Sequence, residues 1–280
     1  MNNKSQISVV LCTLNEEKRI KLCLEGIKSN FPYEIIIVDG GSIDNTIEIA
    51  KIYTTKIFHS INSNLTKDRQ IGINNCESDL IAMIDSDHIL NPNDLSNLVY
   101  DLNFFNLDIV QSGLSAFKPK GFWLKAENQT WMLVHNKPYG VRKMIGTAPA
   151  IYKKQIFDEI QFSDEITKTI DDTDFIFRLS KLNKFKIGIG KTTIMQLHYS
   201  SFKSYLKKFF WYGKGDGEFC IKHKDRTYSM FYHLLFRYPI LYPIKAIKEK
   251  CFRAVPFFIL QGLTRAYGAL YTILKFKIYE

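Results

Sequence analysis

The chain has 280 residues, of which 46% are hydrophobic and 24% charged, a balance that is typical of a globular protein and excludes a disordered one. The net charge is +10, but residues 203–277 alone carry 15 Lys and Arg against 4 Asp and Glu, while the rest of the chain is nearly neutral. This asymmetry predicts a polyanionic partner for the C-terminal part, either membrane lipid or nucleic acid.

The five cysteines are scattered along the chain and include no Cys-x-x-Cys pair. Their odd number and irregular spacing favour reduced cytosolic thiols over disulfides or a zinc site. The first residues resemble a strand rather than the apolar core of a signal peptide. We therefore expect a cytoplasmic protein that can also bind peripherally to the cytoplasmic face of the membrane.

Strands and helices alternate along the first two-thirds of the chain. The apolar patterns predict strands at residues 8–14, 34–38, 56–59, 80–84, 108–114 and 184–189. Between them, helical spacing predicts helices that include residues 20–27, 44–50, 67–75, 92–105 and 171–182, the first with Asn15 as its N-cap, and a further helix near 123–135. Such alternation is typical of an α/β fold with a parallel, doubly wound sheet.

The strand at residues 80–84 is followed by two carboxylates, Asp85 and Asp87, which are separated by one small residue. Residues two apart on an extended chain point to the same side, so both side chains can bind one divalent cation. In open α/β sheets, ligands bind at this carboxyl end of the strands. The alternative is that Asp85 caps the next turn and Asp87 is solvated.

The C-terminal part differs from the rest in being aromatic and basic. Gly213, Gly215 and Gly217 predict a loop, and residues 228–277 are apolar with interspersed cations. The uncharged run at 254–264 is much shorter than the roughly 20 apolar residues that a bilayer crossing needs. We therefore expect either an interfacial helix pair or ordinary core helices in this region.

Four stretches with polar motifs follow one another in a specific order. They are residues 8–17 (SVVLCTLNEE), 34–46 (EIIIVDGGSIDNT), 69–72 (RQIG) with 85–87 (DSD), and 170–175 (IDDTDF). Together they resemble family 2 glycosyltransferases of the GT-A fold, over about residues 6–215, and the combination is specific although each motif alone is weak. The resemblance implies a GT-A fold, which is Rossmann-like with a mostly parallel sheet flanked by helices.

The resemblance also implies a site for a nucleotide-sugar donor, UDP- or GDP-linked, and for Mn²⁺ or Mg²⁺. The residues it assigns to the donor are Thr13, Asn15, Glu16, Asp39, Ser42, Arg69, Asp85 and Ser86, and those it assigns to the metal are Asp85, Asp87 and His198. His88 is a weaker candidate ligand. The alternatives are helix capping for Asn15, a turn for Asp39, a surface cation for Arg69 and a packed side chain for His198.

A catalytic base is expected among the acids that begin the helix at residue 171, because the helix dipole favours ionised carboxylates there. By the resemblance Asp172 is this base, but Asp171 stands where the family has Glu, so the assignment between the two stays open. N-capping by one acid without catalysis is the alternative. Residues 146–148 resemble the small-residue loop of the family that lies against the acceptor.

These observations predict an inverting, metal-dependent glycosyltransferase with a GT-A domain at residues 1–220 and a helical, basic, membrane-associating region at 221–280. It would transfer a single sugar to a hydroxyl of a lipid-linked or cell-surface glycan precursor. Residues 209–215 depart from the Gln-x-x-Arg-Trp of processive synthases, which disfavours a polymerising enzyme. A nucleotidyltransferase that releases pyrophosphate and a non-catalytic polyanion-binding protein are the alternatives, and the intact acidic motifs disfavour a nucleic-acid partner.

Overall fold

The computed structural model describes residues 5–60, 64–163, 165, 169–198 and 201–279, and the chain divides into two compact units. The first unit contains residues 1–113, 138–164 and 171–197, and the second contains residues 114–137, 165–170 and 198–280. The predicted domain boundary at residue 220 falls within the second unit, and where the GT-A domain ends stays a prediction.

A nine-stranded sheet runs through the first unit. Its strands are β1 (Ser5–Thr13), β2 (Pro32–Asp39), β3 (Ile57–His59), β4 (Leu80–Met83), β5 (His88–Ile89), β6 (Ile109–Ala116), β7 (Gly140–Val141), β8 (Ala150–Lys153) and β9 (Ile187–Gln196). Strands β3, β2, β1 and β4 lie side by side and are parallel, whereas β8 pairs antiparallel with both β4 and β6. β5 and β7 each pair antiparallel with β9. The sheet is therefore mixed, and its first four strands are the predicted parallel ones.

Eleven α-helices are present in the described part of the chain. They are α1 (Ile20–Lys28), α2 (Thr46–Ala50), α3 (Leu65–Asn74), α4 (Asp94–Phe104), α5 (Gly121–Thr130), α6 (Ile156–Glu159), α7 (Asp171–Lys181), α8 (Phe202–Lys222), α9 (Thr227–Tyr232), α10 (Tyr242–Lys248) and α11 (Ala254–Tyr279). A π-helical segment, Trp131–His135, continues α5, and another, His233–Leu241, joins α9 to α10 and contains Pro239.

Helices cover both faces of the sheet, as the alternation predicted. Val9 and Leu11 of β1 belong to one buried cluster with side chains of α1 and α4, while Val10 belongs to a second cluster with side chains of α3 and α7. This alternation is the period of two that a strand buried on both faces requires. Helix α3 lies directly against the sheet, because a Cβ at Gly72 would lie 2.4 Å from Val10 Cγ1.

In the second unit, the glycines at 213, 215 and 217 lie within α8, so the prediction of a loop there is wrong. The reason is close packing. A Cβ at Gly213 would lie 2.3 Å from the backbone oxygen of Arg265 in α11, and one at Gly215 would lie 2.4 Å from Thr169 Cγ2. Glycine is needed here for the approach of another backbone and not for a turn.

Helix α11 has 26 residues and extends well beyond the uncharged run at 254–264. It continues through Arg265 because the guanidinium group is paired with the buried carboxylate of Asp216 in α8, with two contacts of 2.6 and 2.8 Å. No helix in the described ranges combines the length and the apolar character that crossing a membrane requires.

Candidate functional site

Three of the polar motifs meet where the parallel strands of the first unit end. Thr13 at the end of β1 is in register with Asp39 at the end of β2, and β4 pairs with β1 as far as Met83, two residues before Asp85. The carboxyl ends of parallel strands lie at the same edge of a sheet, so the parallel arrangement brings these side chains close together. The predicted donor residues of these motifs therefore occupy one edge.

Asp39 is 2% exposed and organises the turn that follows β2. Its carboxylate accepts hydrogen bonds from Ser42 Oγ at 2.5 Å and from the amides of Gly41 and Ser42 at 3.1–3.2 Å. Gly41 has a φ of +100°, which favours glycine. The turn role considered for Asp39 is thus present, and it fixes the direction of the carboxylate beside Ser42.

The loop after β1 is held against that turn rather than capping α1. Asn15 has a φ of 55°. Its side-chain Oδ1 accepts a hydrogen bond from the backbone amide of Ile43 at 3.0 Å, and its backbone amide donates to Ser42 Oγ at 2.9 Å. The amide of Glu16 donates to Thr46 Oγ1 at 2.7 Å. Since α1 begins at Ile20, the prediction that Asn15 is its N-cap is wrong.

Thr13, in contrast, is buried, and its Oγ1 has no hydrogen-bond partner among the described residues. Ser86, between the two acids of the third motif, is also buried. Both lie on the strand-end segments that form this edge, and their roles toward a donor stay predictions.

Arg69 of α3 joins two motifs, at Asp85 and at Asp171, that are 86 residues apart. Its guanidinium group is 4% exposed and lies 3.2 Å (Nη2) from Asp85 Oδ1 and 3.0 Å (Nε) from Asp171 Oδ2. Burial alone would lower the pKa of Arg69, but the two carboxylates outweigh it and raise that pKa above its ordinary value. Arg69 is a buried structural cation and not a surface one, and it brings the Asp85 motif and the start of α7 to the same place.

The acids after β4 form, with His88, the one group of potential metal ligands found in the described part of the chain. One oxygen or nitrogen atom from each of Asp85, Asp87 and His88 lies within 4.8 Å of the others. Asp87 Oδ2 accepts a hydrogen bond from Gln196 Nε2 at 2.9 Å, while Asp87 Oδ1 is buried and has no hydrogen-bond partner among the described residues. A buried carboxylate oxygen without a donor fits a cation ligand.

His88 is oriented for a different task. Its Nδ1 accepts a hydrogen bond from the amide of Asp85 at 2.9 Å, so the ring proton is on Nε2, 3.8 Å from Asp87 Oδ1. A protonated ring nitrogen offers no lone pair to a metal. Asp85 and Asp87 are therefore the members of this group that fit a hard divalent cation, while His88 fixes the backbone of Asp85 and lies beside the Asp87 carboxylate.

At the start of α7 the two acids differ in their surroundings. Asp171 Oδ2 lies against Arg69 and accepts a hydrogen bond from Thr147 Oγ1 at 3.2 Å. Asp172 Oδ1 accepts from the amide of Thr173 at 2.6 Å, and Asp172 Oδ2 lies 3.7 Å from the position that a Cβ of Gly146 would occupy. The small-residue loop and both acids therefore lie together, and the absence of a side chain at Gly146 lets Gln111 approach beside Asp172, since a Cβ there would lie 2.8 Å from Gln111 Nε2.

Several residues of this site were missed by the sequence analysis. Gln196 holds the acid Asp87, and Gln111 Oε1 accepts from the amide of Gly146 at 2.7 Å. Thr147 was foreseen only as part of the small-residue loop, and its hydrogen bond to Asp171 was not predicted. Asp68 directly precedes Arg69 and is buried, with no hydrogen-bond partner for Oδ1 among the described residues. Its only sequence signal is an acid beside the motif arginine.

His198, predicted as a metal ligand, belongs to the second unit, where it lies in a buried polar cluster. Its Nδ1 is 2.9 Å from Glu127 Oε2, and its ring lies 4.4 Å, between centroids, from that of Trp131. Glu127 also accepts hydrogen bonds from Tyr205 at 2.5 Å and from Lys208 at 3.3 Å. The packed role considered for His198 is thus present, and its metal role stays a prediction.

Glu127 makes the stability of this cluster dependent on pH. Burial alone would raise its pKa, but Lys208 and His198 outweigh burial and lower the pKa from 4.5 to about 2. This difference between the pKa of Glu127 in the unfolded and in the folded protein corresponds to roughly 3 kcal/mol of stability. The stabilisation is fully present above the ordinary pKa of 4.5 and is lost as the pH falls toward 2. We expect Glu127→Gln to be less stable than the wild type at neutral pH and the difference between the two to narrow as the pH falls from 4.5 toward 2.

Urea unfolding at a series of pH values, followed by circular dichroism, measures this convergence. A difference between the two proteins that stays constant down to pH 3 would show that the Glu127 carboxylate is not held ionised by its neighbours.

Comparison with known proteins places this arrangement in a family. Residues 8–168, more than half of the chain, match the family model described as glycosyl transferase family 2. A relative in Escherichia coli K12, the uncharacterized glycosyltransferase YibD, is 28% identical over 118 residues, which are 40% of this chain and 34% of YibD. The glycosyltransferase GlyG of Streptococcus pneumoniae is 28% identical over 181 residues, 56% of this chain and 60% of GlyG. The chain thus spans about a third of the length of YibD.

Two solved structures share the fold. The Staphylococcus aureus TarS fragment 1–349 in complex with UDP-GlcNAc superposes with a TM-score of 0.56 at 15% identity, covering 98% of this chain and 92% of that one. The Mycobacterium tuberculosis glucosyl-3-phosphoglycerate synthase with Mn²⁺, UDP and glucosyl-3-phosphoglycerate has a TM-score of 0.53 at 17% identity, covering 72% and 74%. These likenesses confirm the predicted GT-A fold, and with the family match they show that the chain belongs to glycosyl transferase family 2.

Proposed function

We propose that the chain is an inverting, metal-dependent glycosyltransferase that moves a single sugar from a UDP- or GDP-linked donor to an acceptor hydroxyl. The observation that carries the proposal is Arg69, which contacts Asp85 of one acidic motif and Asp171 of the other. A transferase needs its leaving-group side and its acceptor side to meet at the same anomeric carbon, with the incoming oxygen about 3 Å from that carbon. A single buried cation shared by both motifs supports that arrangement.

On the donor side, Thr13, Asn15 and Glu16 would meet the base or ribose, together with Asp39, Ser42 and Ser86. Asp85 and Asp87 would hold Mn²⁺ or Mg²⁺, with His198 as a further proposed ligand. When bound, the ion supplies positive charge that stabilises the departing diphosphate. Arg69 fixes the direction of the Asp85 carboxylate, and Gln196 fixes that of Asp87 through its hydrogen bond.

On the acceptor side, Asp172 would take the proton of the incoming hydroxyl, which then attacks the anomeric carbon. The bond between that carbon and the diphosphate oxygen breaks, and the nucleoside diphosphate leaves with the electron pair, so the configuration inverts. Asp171 is held by Arg69 and Thr147, which supports a positioning role for it and the base role for its neighbour. The acceptor would lie beside Asp172 and the small-residue loop at 146–148.

For the acceptor we propose a lipid-linked or cell-surface glycan precursor. Support comes from the +11 charge of residues 203–277, which suits the phosphates of such a molecule. The TarS relative of S. aureus, named for its action on poly(ribitol-phosphate), is 25% identical over 126 residues, and its substrate is likewise a phosphate-bearing polymer.

The test is a panel of UDP- and GDP-sugars in thermal-shift and product assays, with and without Mn²⁺. We expect one donor to stabilise the protein only with Mn²⁺ and to release a nucleoside diphosphate. In Asp87→Asn, the Mn²⁺ concentration needed for half of the donor-dependent stabilisation should rise at least about tenfold. Loss of a residue that only supports a metal ligand already lowers metal affinity about tenfold or more, and loss of a ligand itself should cost at least as much. Asp79→Asn, an exposed acid just before β4, is the matched control and should behave as wild type.

Two outcomes would contradict the proposal. Release of pyrophosphate would indicate a nucleotidyltransferase. Equal donor binding by the wild type and Asp87→Asn, with or without Mn²⁺, would remove the metal from the reaction.

A further inference from the structure

Helix α11 has two apolar faces of different character. The buried face carries Phe257 and Phe258 together with small residues, and a Cβ at Gly262 or Gly268 would lie 2.6 Å from a backbone oxygen of the π-helical segment or of α8. The opposite face carries large side chains that are exposed at positions three or four apart. This outer stripe of α11 consists of Ile259, Leu263, Tyr267, Leu270, Leu274 and Ile278.

The exposure of the outer stripe is substantial. Leu263 is 52% exposed, Tyr267 64% and Leu274 58%, and half of all exposed large apolar side chains in the described part of the chain lie between Tyr228 and Ile278. A helix of a soluble domain normally turns its polar face outward. The outer stripe departs from that pattern because its exposed side chains are large and apolar, so it is suited to a second apolar surface.

Cations lie on both sides of the outer stripe along the sequence. Lys248, Lys250 and Arg253 precede it and are exposed, and Lys275 near its end is exposed as well. Between Arg226 and Tyr279 the sequence contains one acid, Glu249. Apolar residues along one face with cations at both ends are the pattern of a helix that lies in a membrane interface.

We propose that the outer stripe of α11 docks on an anionic lipid bilayer, with the helix lying in the plane of the interface and the flanking cations against lipid phosphates. Charge decides between this occupant and a second copy of the chain. A second copy would bring another excess of positive charge to the same surface, whereas anionic lipid supplies the opposite charge. The inference concerns binding and does not depend on the proposed transfer reaction.

The test is co-sedimentation of the whole chain with vesicles of phosphatidylcholine alone or mixed with phosphatidylglycerol. We expect binding to the mixed vesicles that weakens as salt is raised. The triple variant Leu263→Ser, Leu270→Ser, Leu274→Ser should lose at least about tenfold in partition coefficient, because three apolar side chains no longer enter the interface. The matched control, Ile52→Ser, Tyr100→Ser, Phe104→Ser, removes equally exposed side chains in the first unit and should bind as wild type.

A second variant, Lys248→Gln, Lys250→Gln, Arg253→Gln, leaves the stripe intact and should remove most of the salt dependence. Circular dichroism shows whether each variant is folded, and donor binding by thermal shift reports on the first unit separately. Equal vesicle binding by the wild type and the stripe variant would overturn the proposal. So would a wild-type chain that ignores anionic vesicles and sediments as a dimer that the stripe variant dissociates.

Discussion

We expect Asp172→Asn to lower kcat by about 10²–10⁴-fold and to leave binding of the nucleoside diphosphate intact, because the variant keeps the shape of the side chain and removes the basicity of the proposed base. Release of nucleoside diphosphate from the donor with water as acceptor measures this without knowledge of the natural acceptor. The wild-type kcat/KM should fall on the acid side as the base is protonated, and Asp172→Asn should lack that limb.

Asp171→Asn is the matched comparison, because the two acids are neighbours on the first turn of α7. Asp171 lies 3.0 Å from Arg69, which also contacts Asp85. Because Asp171 helps to hold Arg69 against Asp85, loss of the Asp171 carboxylate should weaken metal and donor binding as well as turnover. The acid limb of the pH profile should persist in Asp171→Asn. If instead Asp171→Asn loses the limb and Asp172→Asn keeps it, the roles of the two acids are exchanged.

The parallel half of the fold follows from local sequence. β1, β2 and β4 are apolar runs that end in polar residues, and a strand buried on both faces leaves such a run in the sequence. β8, in contrast, has four residues, Ala150–Lys153, and is a strand because it pairs with β4 and β6. β8 lies about seventy residues after β4 and about forty residues after β6 in the sequence. No pattern within β8 itself specifies these pairings.

The sequence motifs identify residues of the site but not the residues from distant parts of the chain that orient them. The resemblance placed Asp85, Asp87 and Asp172 in motifs, but the hydrogen bond from Gln196 to Asp87 spans 109 residues and has no sequence signature. Glu127 lies within an ordinary helical stretch, yet its surroundings make it a buried acid with three partners. Residues that orient a functional group are set by tertiary packing, so only the residues of the motifs themselves were foreseen.

The glycines of α8 show how one sequence signal has two meanings. Glycines at alternate positions predict a loop when only local conformation is considered. In α8 they allow α11 to approach, and this approach brings Arg265 within reach of Asp216. The close packing of α8 on α11 and the ion pair between them are therefore parts of one arrangement.

Asp216→Ala should lower the free energy of unfolding by about 3–5 kcal/mol, because it leaves Arg265 largely buried without its counter-charge. Asp216 is 0% exposed and accepts from both Nε and Nη2 of Arg265, while the guanidinium group lies 5.8 Å from the ring centroid of Tyr212 and 5.7 Å from that of Tyr238. Burial would lower the pKa of Arg265, but the carboxylate of Asp216 outweighs burial and raises that pKa. A guanidinium group is so basic that it stays protonated in proteins even without a partner, so Asp216→Ala leaves an unpaired charge.

Denaturant unfolding followed by circular dichroism measures the loss, with two controls. Glu48→Ala removes the exposed pair with Lys51, whose atoms are 2.7 Å apart, and should change the free energy by less than about 1 kcal/mol. The double variant Asp216→Leu, Arg265→Met replaces the pair by apolar groups of similar size and should recover much of the stability lost in Asp216→Ala, since no charge is then left unpaired. If Asp216→Ala is no less stable than Glu48→Ala, the pair does not hold α8 and α11 together, and the small-residue packing between these helices is sufficient by itself.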